Sequence, residues 1–146
     1  MSCKILTRKA TFDDLGDLAR LNEMFNGVKG TPGQLATRLE NPKCVEIPIV
    51  AEVDNQVVGF AGLRVAPTVF YEEPHAELTE IFVEESYRRQ GVGQAMIRFA
   101  EGLAQGEGAE ELVLQTGKEN LAAREFYAAI GYGEWDIVMG RTLLIE

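Results

Sequence analysis

The sequence predicts an α/β (α+β) fold in which a mixed sheet of six to seven strands is combined with about four helices. Three observations carry that expectation. Short β-rich runs alternate with segments whose apolar residues recur at helical spacing. The early strands are joined by short turns and the later ones by helices, which gives antiparallel pairing first and a parallel crossover late. At 146 residues, 46% hydrophobic and 25% charged, the chain has the size and composition of one soluble globular domain. A domain of that length buries about 70% of its unfolded surface, enough for one sizeable core.

Taken in order, residues 4–9 alternate weakly and read as a first strand. In "TFDDLGDLARLNEMF", Thr11 caps a helix with Asp14 in the capping-box position, and Leu15, Leu18, Ala19 and Leu21 supply an apolar stripe. Gly27, Gly30 and Gly33 bracket a loop. "PGQLATRLEN" is a second helix, with Pro32 in its first turn and a stop before Asn41-Pro42. "EIPIVAEVDNQVVGFAGLRVAP" holds two strand runs flanking Asp54-Asn55-Gln56, a hairpin signal. "AELTEIFVEES" is a further strand. "GVGQAMIRFAEGLAQGEG" places Val92, Ala95, Met96, Phe99, Ala100 and Leu103 at helical spacing, with Gly106 and Gly108 as the stop. "EELVLQTG" is a short strand. "NLAAREFYAAIGY" sets Ala123, Phe126, Tyr127 and Ile130 on one helical face before Gly131, and "WDIVMGRTLLIE" reads as one or two final strands.

The net charge of −9 argues against a nucleic-acid or anionic-membrane partner, because both need a basic surface. It tolerates a cationic substrate, and it means that any anionic cofactor needs a local exception. Cys3 and Cys44 match neither a zinc pattern nor a disulfide framework, so they read as reduced packing residues. No residue cluster indicates a metal. The N-terminal stretch lacks a signal-peptide core and no run reaches membrane-spanning length, which makes a cytoplasmic location the expectation.

One stretch, "EIFVEESYRRQGVGQAM" at residues 80–96, carries an anion-site signal. A strand gives way to a turn containing Arg88, Arg89, Gly91 and Gly93, and then to a helix start. The first amides of a helix have no internal partners and its dipole is positive there, while glycine lets a ligand approach the backbone closely. The stretch lacks GxxxxGK[ST] and the third glycine of GxGxxG. Taken alone, it is equally a tight turn with solvated arginines.

Arg88-Arg89-Gln90-Gly91-Val92-Gly93 matches the Q/R-x-x-G-x-G/A signature of the GNAT superfamily of N-acetyltransferases. "ELTEIFVEESY" resembles that family's fourth strand and "VGQAMIRFAEGLA" the helix after it. Asn120 followed by "LAAREF", Tyr127 and "AAIGY" resembles its second motif. The resemblance covers roughly residues 48–133, with the two signatures in the family's order. It implies a single N-acetyltransferase domain over residues 1–146, splayed central strands, and acetyl-CoA as co-substrate without a metal. The backbone amides of Arg89, Gln90, Gly91, Val92, Gly93 and Gln94 would bind the pyrophosphate, with Arg88 beside them. The backbone of Phe82 and Val83 would pair with the pantetheine arm and donate to the oxyanion, and Asn120 would contact CoA.

Acetyl transfer to an amine needs a base for the ammonium proton, a donor for the oxyanion and an acid for the leaving thiolate. The resemblance implies Glu80 as the base, where several small-molecule members carry an acidic residue, or Glu77, at the position used by protein-acetylating members. Three residues apart on a regular strand, the two lie on opposite faces, unless a bulge intervenes. Tyr127 matches the tyrosine beside the CoA sulfur, a suitable acid with its ordinary pKa near 10. His75, Glu72 and Glu73 sit just before the strand, as a solvated acidic turn or as a pocket mouth for a cationic amine. Phe70, Tyr71 and Trp135 read as core or rim. The expected activity is direct transfer from acetyl-CoA to a primary amine of a small molecule, aminoglycoside- or polyamine-like; the segment looks somewhat like the aminoglycoside 3-N-acetyltransferase branch. A protein or peptide N-acetyltransferase and a non-catalytic CoA-binding sensor are the alternatives. Family members are often homodimers, but nothing in the sequence marks an interface.

Overall fold

A computed structural model describes residues 4–144 of the chain. The chain divides into two compact units, one ending at Leu114 and the other beginning at Gln115.

The first unit is a five-stranded sheet flanked by helices. Its strands are β1 (Ile5–Lys9), β2 (Glu46–Val53), β3 (Gln56–Ala66), β4 (His75–Val83) and β5 (Val113–Leu114). They lie side by side in that order. The first three pairings are antiparallel and β4 runs parallel to β5. This is the mixed architecture expected, with five strands among the described residues instead of six to seven. The hairpin between β2 and β3 closes through Asp54 and Asn55, both at positive φ (52° and 68°), a two-residue turn whose twist matches that of the strands.

Helix α1 (Leu15–Asn26) follows a 3-10 turn at Phe12–Asp14, and both halves of the Thr11–Asp14 capping box are made. Its buried residues are Leu15, Leu18, Ala19 and Leu21, the stripe expected from the sequence. With Val50, Val57, Phe60 and Phe82 these leucines form one core cluster, against which Leu35 and Leu39 of α2 (Pro32–Glu40) also pack. Helix α3 (Val92–Gly106) lies against the other sheet face, where its Met96 reaches Gly59. A Cβ at Gly59 would come within 2.9 Å of the Phe82 carbonyl oxygen and 3.1 Å of Met96 Cε, so only glycine allows this approach. Val92, Met96 and Ala100 are buried as expected. Ile97 and Ala104 are buried too, whereas Ala95, Phe99 and Leu103 are half-buried, so the inward stripe is rotated from the expected one.

The second unit contains α4 (Leu121–Ala129). It ends in a Schellman motif: Gly131 is left-handed (φ 102°), Tyr132 N donates to Tyr127 O at 2.9 Å, and Gly131 N donates to Ala128 O at 3.1 Å. Phe126, expected on the apolar face, is exposed. The expected final strands are absent from residues 135–144: Trp135, Ile137, Val138 and Met139 are exposed and the backbone there joins no ladder, which leaves strand propensity without a partner. Cys44 is exposed and free, so it does not pack; Cys3 lies outside the described residues. Phe70, Tyr71 and Trp135 are surface residues, not core.

Candidate active site

β4 holds the centre of the site in the first unit. β5 pairs with it only at Glu77 and Leu78. From Thr79 to Val83 that flank has no strand neighbour among the described residues. Such an open flank is what an extended ligand needs if it is to hydrogen-bond to strand backbone.

The loop after β4 turns into α3 through two left-handed residues, Arg89 (φ 63°) and Gly91 (φ 87°). A non-glycine residue in that region is strained and persists only where its surroundings hold it. Gly91 is the N-cap and has no side chain to satisfy the first turn. The first amide of α3 with an intramolecular partner is that of Ala95, which donates to Gly91 O at 3.0 Å. The amides of Arg89, Gln90, Gly91, Val92, Gly93 and Gln94 have no hydrogen-bond partner among the described residues. Six amides without a partner among the described residues, around the positive end of a 15-residue helix, are the kind of donors an anion needs, and an acidic chain with an anionic ligand requires such a local exception. Val92 is 2% exposed and anchors this turn, while Gly91 and Gln94 are exposed.

The two arginines do different things. Arg88 turns back onto β4, where its Nε donates to Val83 O at 2.8 Å and its guanidinium lies 5.5 Å from the Phe82 ring centre. Arg89 is exposed and makes no ion pair among the described residues. Gln90 donates to Ser86 O at 3.4 Å, within the loop. Phe82 stacks on Phe25 of α1, with ring centres 5.1 Å apart.

Regular alternation would put Glu77 and Glu80 on opposite faces, but the structure puts them on the same one. Glu80 pairs with Gly62 and Leu78 with Leu63, so Thr79 is an extra residue on β4. Glu77 pairs with Arg64, two residues from Gly62, and so shares its face. This is the face of Phe60 and Phe82, covered by α1 and α2. Both carboxylates are half-buried. Glu77 accepts from Arg64 at 3.5 Å, whereas Glu80 has neither a hydrogen bond nor an ion pair among the described residues.

Two residues not anticipated from the sequence complete this surface. The Thr79 hydroxyl donates to Glu46 of β2, across Gly62, where any side chain would collide with both groups. Two bulges, one leaving Val58 unpaired and one leaving Thr79 unpaired, create this meeting. A hairpin register counted outward from Asp54-Asn55 misses it, because each bulge shifts the count by one. His75 is exposed at the start of β4, and Glu72 and Glu73 precede it in a loop.

In the second unit, Asn120 caps α4 by accepting from Ala123 N at 3.2 Å. Arg124 braces the same unit, donating to Lys118 O at 2.8 Å and to Glu134 at 2.9 Å. Tyr127 is half-buried between Phe126 and Tyr132, with ring centres 5.3 and 6.3 Å away. Burial pushes its pKa above the ordinary tyrosine value, and its hydroxyl has no hydrogen-bond partner among the described residues. The phenol is thus held protonated, with its proton uncommitted.

Among the described residues no group of three or more His, Cys, Asp or Glu could hold a metal ion, and no helix is long and apolar enough to cross a membrane. A family model described as "Acetyltransferase (GNAT) family" matches residues 18–132. N-acetyltransferase 8 of Homo sapiens is 32% identical over 83 residues, 57% of this chain and 37% of the human protein. Aminoglycoside N(6')-acetyltransferase type 1 of Klebsiella aerogenes is 33% identical over 102 residues, 68% of this chain and 66% of that protein. The chain therefore spans about a third to two-thirds of these relatives. The crystal structure of aminoglycoside N-acetyltransferase AAC(6')-Iy in complex with CoA superposes with a TM-score of 0.84 at 21% identity, covering 98% of this chain and 97% of that one. The aminoglycoside enzymes among these are N(6')-acetyltransferases, whereas the likeness expected from the sequence is to the 3-N branch.

Proposed function

The chain belongs to the acetyltransferase (GNAT) family, and from that premise we propose that it transfers an acetyl group from acetyl-CoA directly to a primary amine of a small molecule. The observation that carries this reading is the row of six unpartnered amides from Arg89 to Gln94, beside the open flank of β4. These residues fit the ligand: the amides and the helix dipole suit a pyrophosphate, and the Phe82–Val83 backbone suits an amide-containing arm. The family match runs across the boundary after Leu114, which supports reading residues 1–146 as a single N-acetyltransferase domain.

Bound acetyl-CoA supplies the thioester whose acyl carbon the amine attacks. Glu80 takes the ammonium proton, directly or through water. It carries no ion pair, whereas Glu77 is held by Arg64, so Glu80 is the freer of the two bases. Tyr127 provides the proton that a leaving thiolate needs. Asn120 keeps α4 capped while contacting CoA, and the Val83 N–H donates to the oxyanion, since the Phe82 N–H, like that of Glu84, faces β3. An acceptor with several ammonium groups, aminoglycoside- or polyamine-like, fits the carboxylate-bearing face of β2 and β4 and the chain's net charge of −9. The aminoglycoside relatives support that class.

The test is release of free CoA from acetyl-CoA across a panel of aminoglycosides, polyamines, amino acids and peptides. Turnover with the polycationic small molecules is the expected result. Turnover with peptides alone makes the chain a peptide acetyltransferase. Tight CoA binding with no turnover for any amine makes it a sensor.

A further inference from the structure

Glu84 is the joint between β4 and the anion loop. Its amide donates to Val58 O at 2.9 Å and its carbonyl accepts from Tyr87 N at 2.9 Å, which opens the turn at Glu85–Tyr87. Its carboxylate is gripped by Arg20 of α1. The same guanidinium donates to Val57 O of β3 at 3.0 Å and to Asp17 at 3.3 Å. Arg20 thus joins three elements through one rigid planar group, which a lysine cannot reproduce. Tyr87 adds a weaker tie, donating to Gln56 Oε1 at 3.4 Å.

What surrounds this bracket matters. It borders an open cavity of about 570 Å³ whose lining includes Arg8, Asp14, Arg20, Glu52, Asn55 and Glu84. Little apolar packing is available there, so hydrogen bonds set the position of Glu84. Five residues further on, Arg89 stands in the left-handed region and needs both ends of the loop fixed. α3 fixes one end. The Arg20–Glu84–Val57 bracket fixes the other.

We propose that Arg20 is a positioning residue for cofactor binding: acting through Glu84 and the Val57 carbonyl, it holds the Arg89–Gln94 amides in anion-binding geometry. The proposal rests on the reading that those amides bind the CoA pyrophosphate. An exposed ion pair adds little to global stability, so binding and melting temperature should separate.

The experiment is calorimetric titration of the full chain with CoA, paired with thermal melting, for the wild type, Arg20→Gln, Arg20→Lys, Glu84→Gln, the single charge reversals Arg20→Glu and Glu84→Arg, and the charge swap Arg20→Glu/Glu84→Arg. Arg20→Gln and Glu84→Gln should each weaken CoA binding about 3- to 30-fold while the melting temperature moves by less than about 4 °C. Arg20→Lys should recover part of the affinity, and the swap should bind better than either of its single charge reversals. Unchanged CoA affinity in Arg20→Gln, with a wild type that binds, overturns the proposal alone. So does a loss of affinity that comes with a large fall in melting temperature and is not recovered by the swap. A wild type that binds no CoA overturns the pyrophosphate reading, and the proposal with it.

Discussion

Tyr127 is half-buried, its pKa is raised by desolvation, and its hydroxyl has no hydrogen-bond partner among the described residues. Acting as an acid, it must stay protonated, so the alkaline limb of kcat should lie above about pH 10, the ordinary tyrosine value. Tyr127→Phe should lower kcat about 10²-fold or more and leave CoA affinity within a few-fold. Steady-state kinetics and direct titration separate the two, and an unchanged kcat would remove the residue from the chemistry. The base is tested by contrast between two carboxylates. Glu80→Gln should suppress kcat/KM most at low pH, where the amine carries its proton. If Glu77→Gln does so instead, the base is the carboxylate beside Arg64.

The elements show what the chain makes legible. The Thr11 cap, the leucine stripe of α1, the hairpin at Asp54-Asn55 and the glycine turn before α3 are local signals, and all of them form. The common face of Glu77 and Glu80 was not legible, since it depends on how β4 pairs with β3 at Thr79, and pairing is a property of two strands. The tail fails for a related reason: residues such as Ile137 and Val138 favour a strand, but a strand requires a neighbour. Gly59 illustrates a contact that sequence marks only as a glycine in a strand. Gly59→Ala should destabilise by about 1–3 kcal/mol, read as a shift of the urea midpoint, because the new methyl group meets the Phe82 carbonyl and Met96. A midpoint equal to the wild type's would mean that α3 stands further from the sheet.

At the scale of the whole molecule, the excess of 23 acidic over 14 basic residues makes acid a probe of how the carboxylates are held. Asp14 is 5% exposed. Two hydrogen bonds from Arg8, at 2.7 and 2.9 Å, hold its carboxyl below the usual range; burial opposes them and the Thr11 amide assists. A folded-state pKa below the unfolded value stabilises the protein at neutral pH, and that stability is lost as pH falls through the folded value. Melting temperature should therefore drop below about pH 4. Asp14→Asn should cost about 1–3 kcal/mol at neutral pH and make the acid limb shallower. Parallel limbs for the two proteins would show that other carboxylates govern acid unfolding.

The extra residue at Thr79 also bears on how this chain is compared with its relatives. Because of the bulge, carboxylates three apart along the chain occupy ladder positions two apart. A relative with an unbulged strand would present the same pair as Glu-x-Glu, and an ungapped alignment would then match only one of the two glutamates and set the other opposite Leu78 or Thr79. In such comparisons Thr79 is an insertion, and the gap belongs opposite it. Homology then has to be counted in rungs of the sheet, not in positions along the chain.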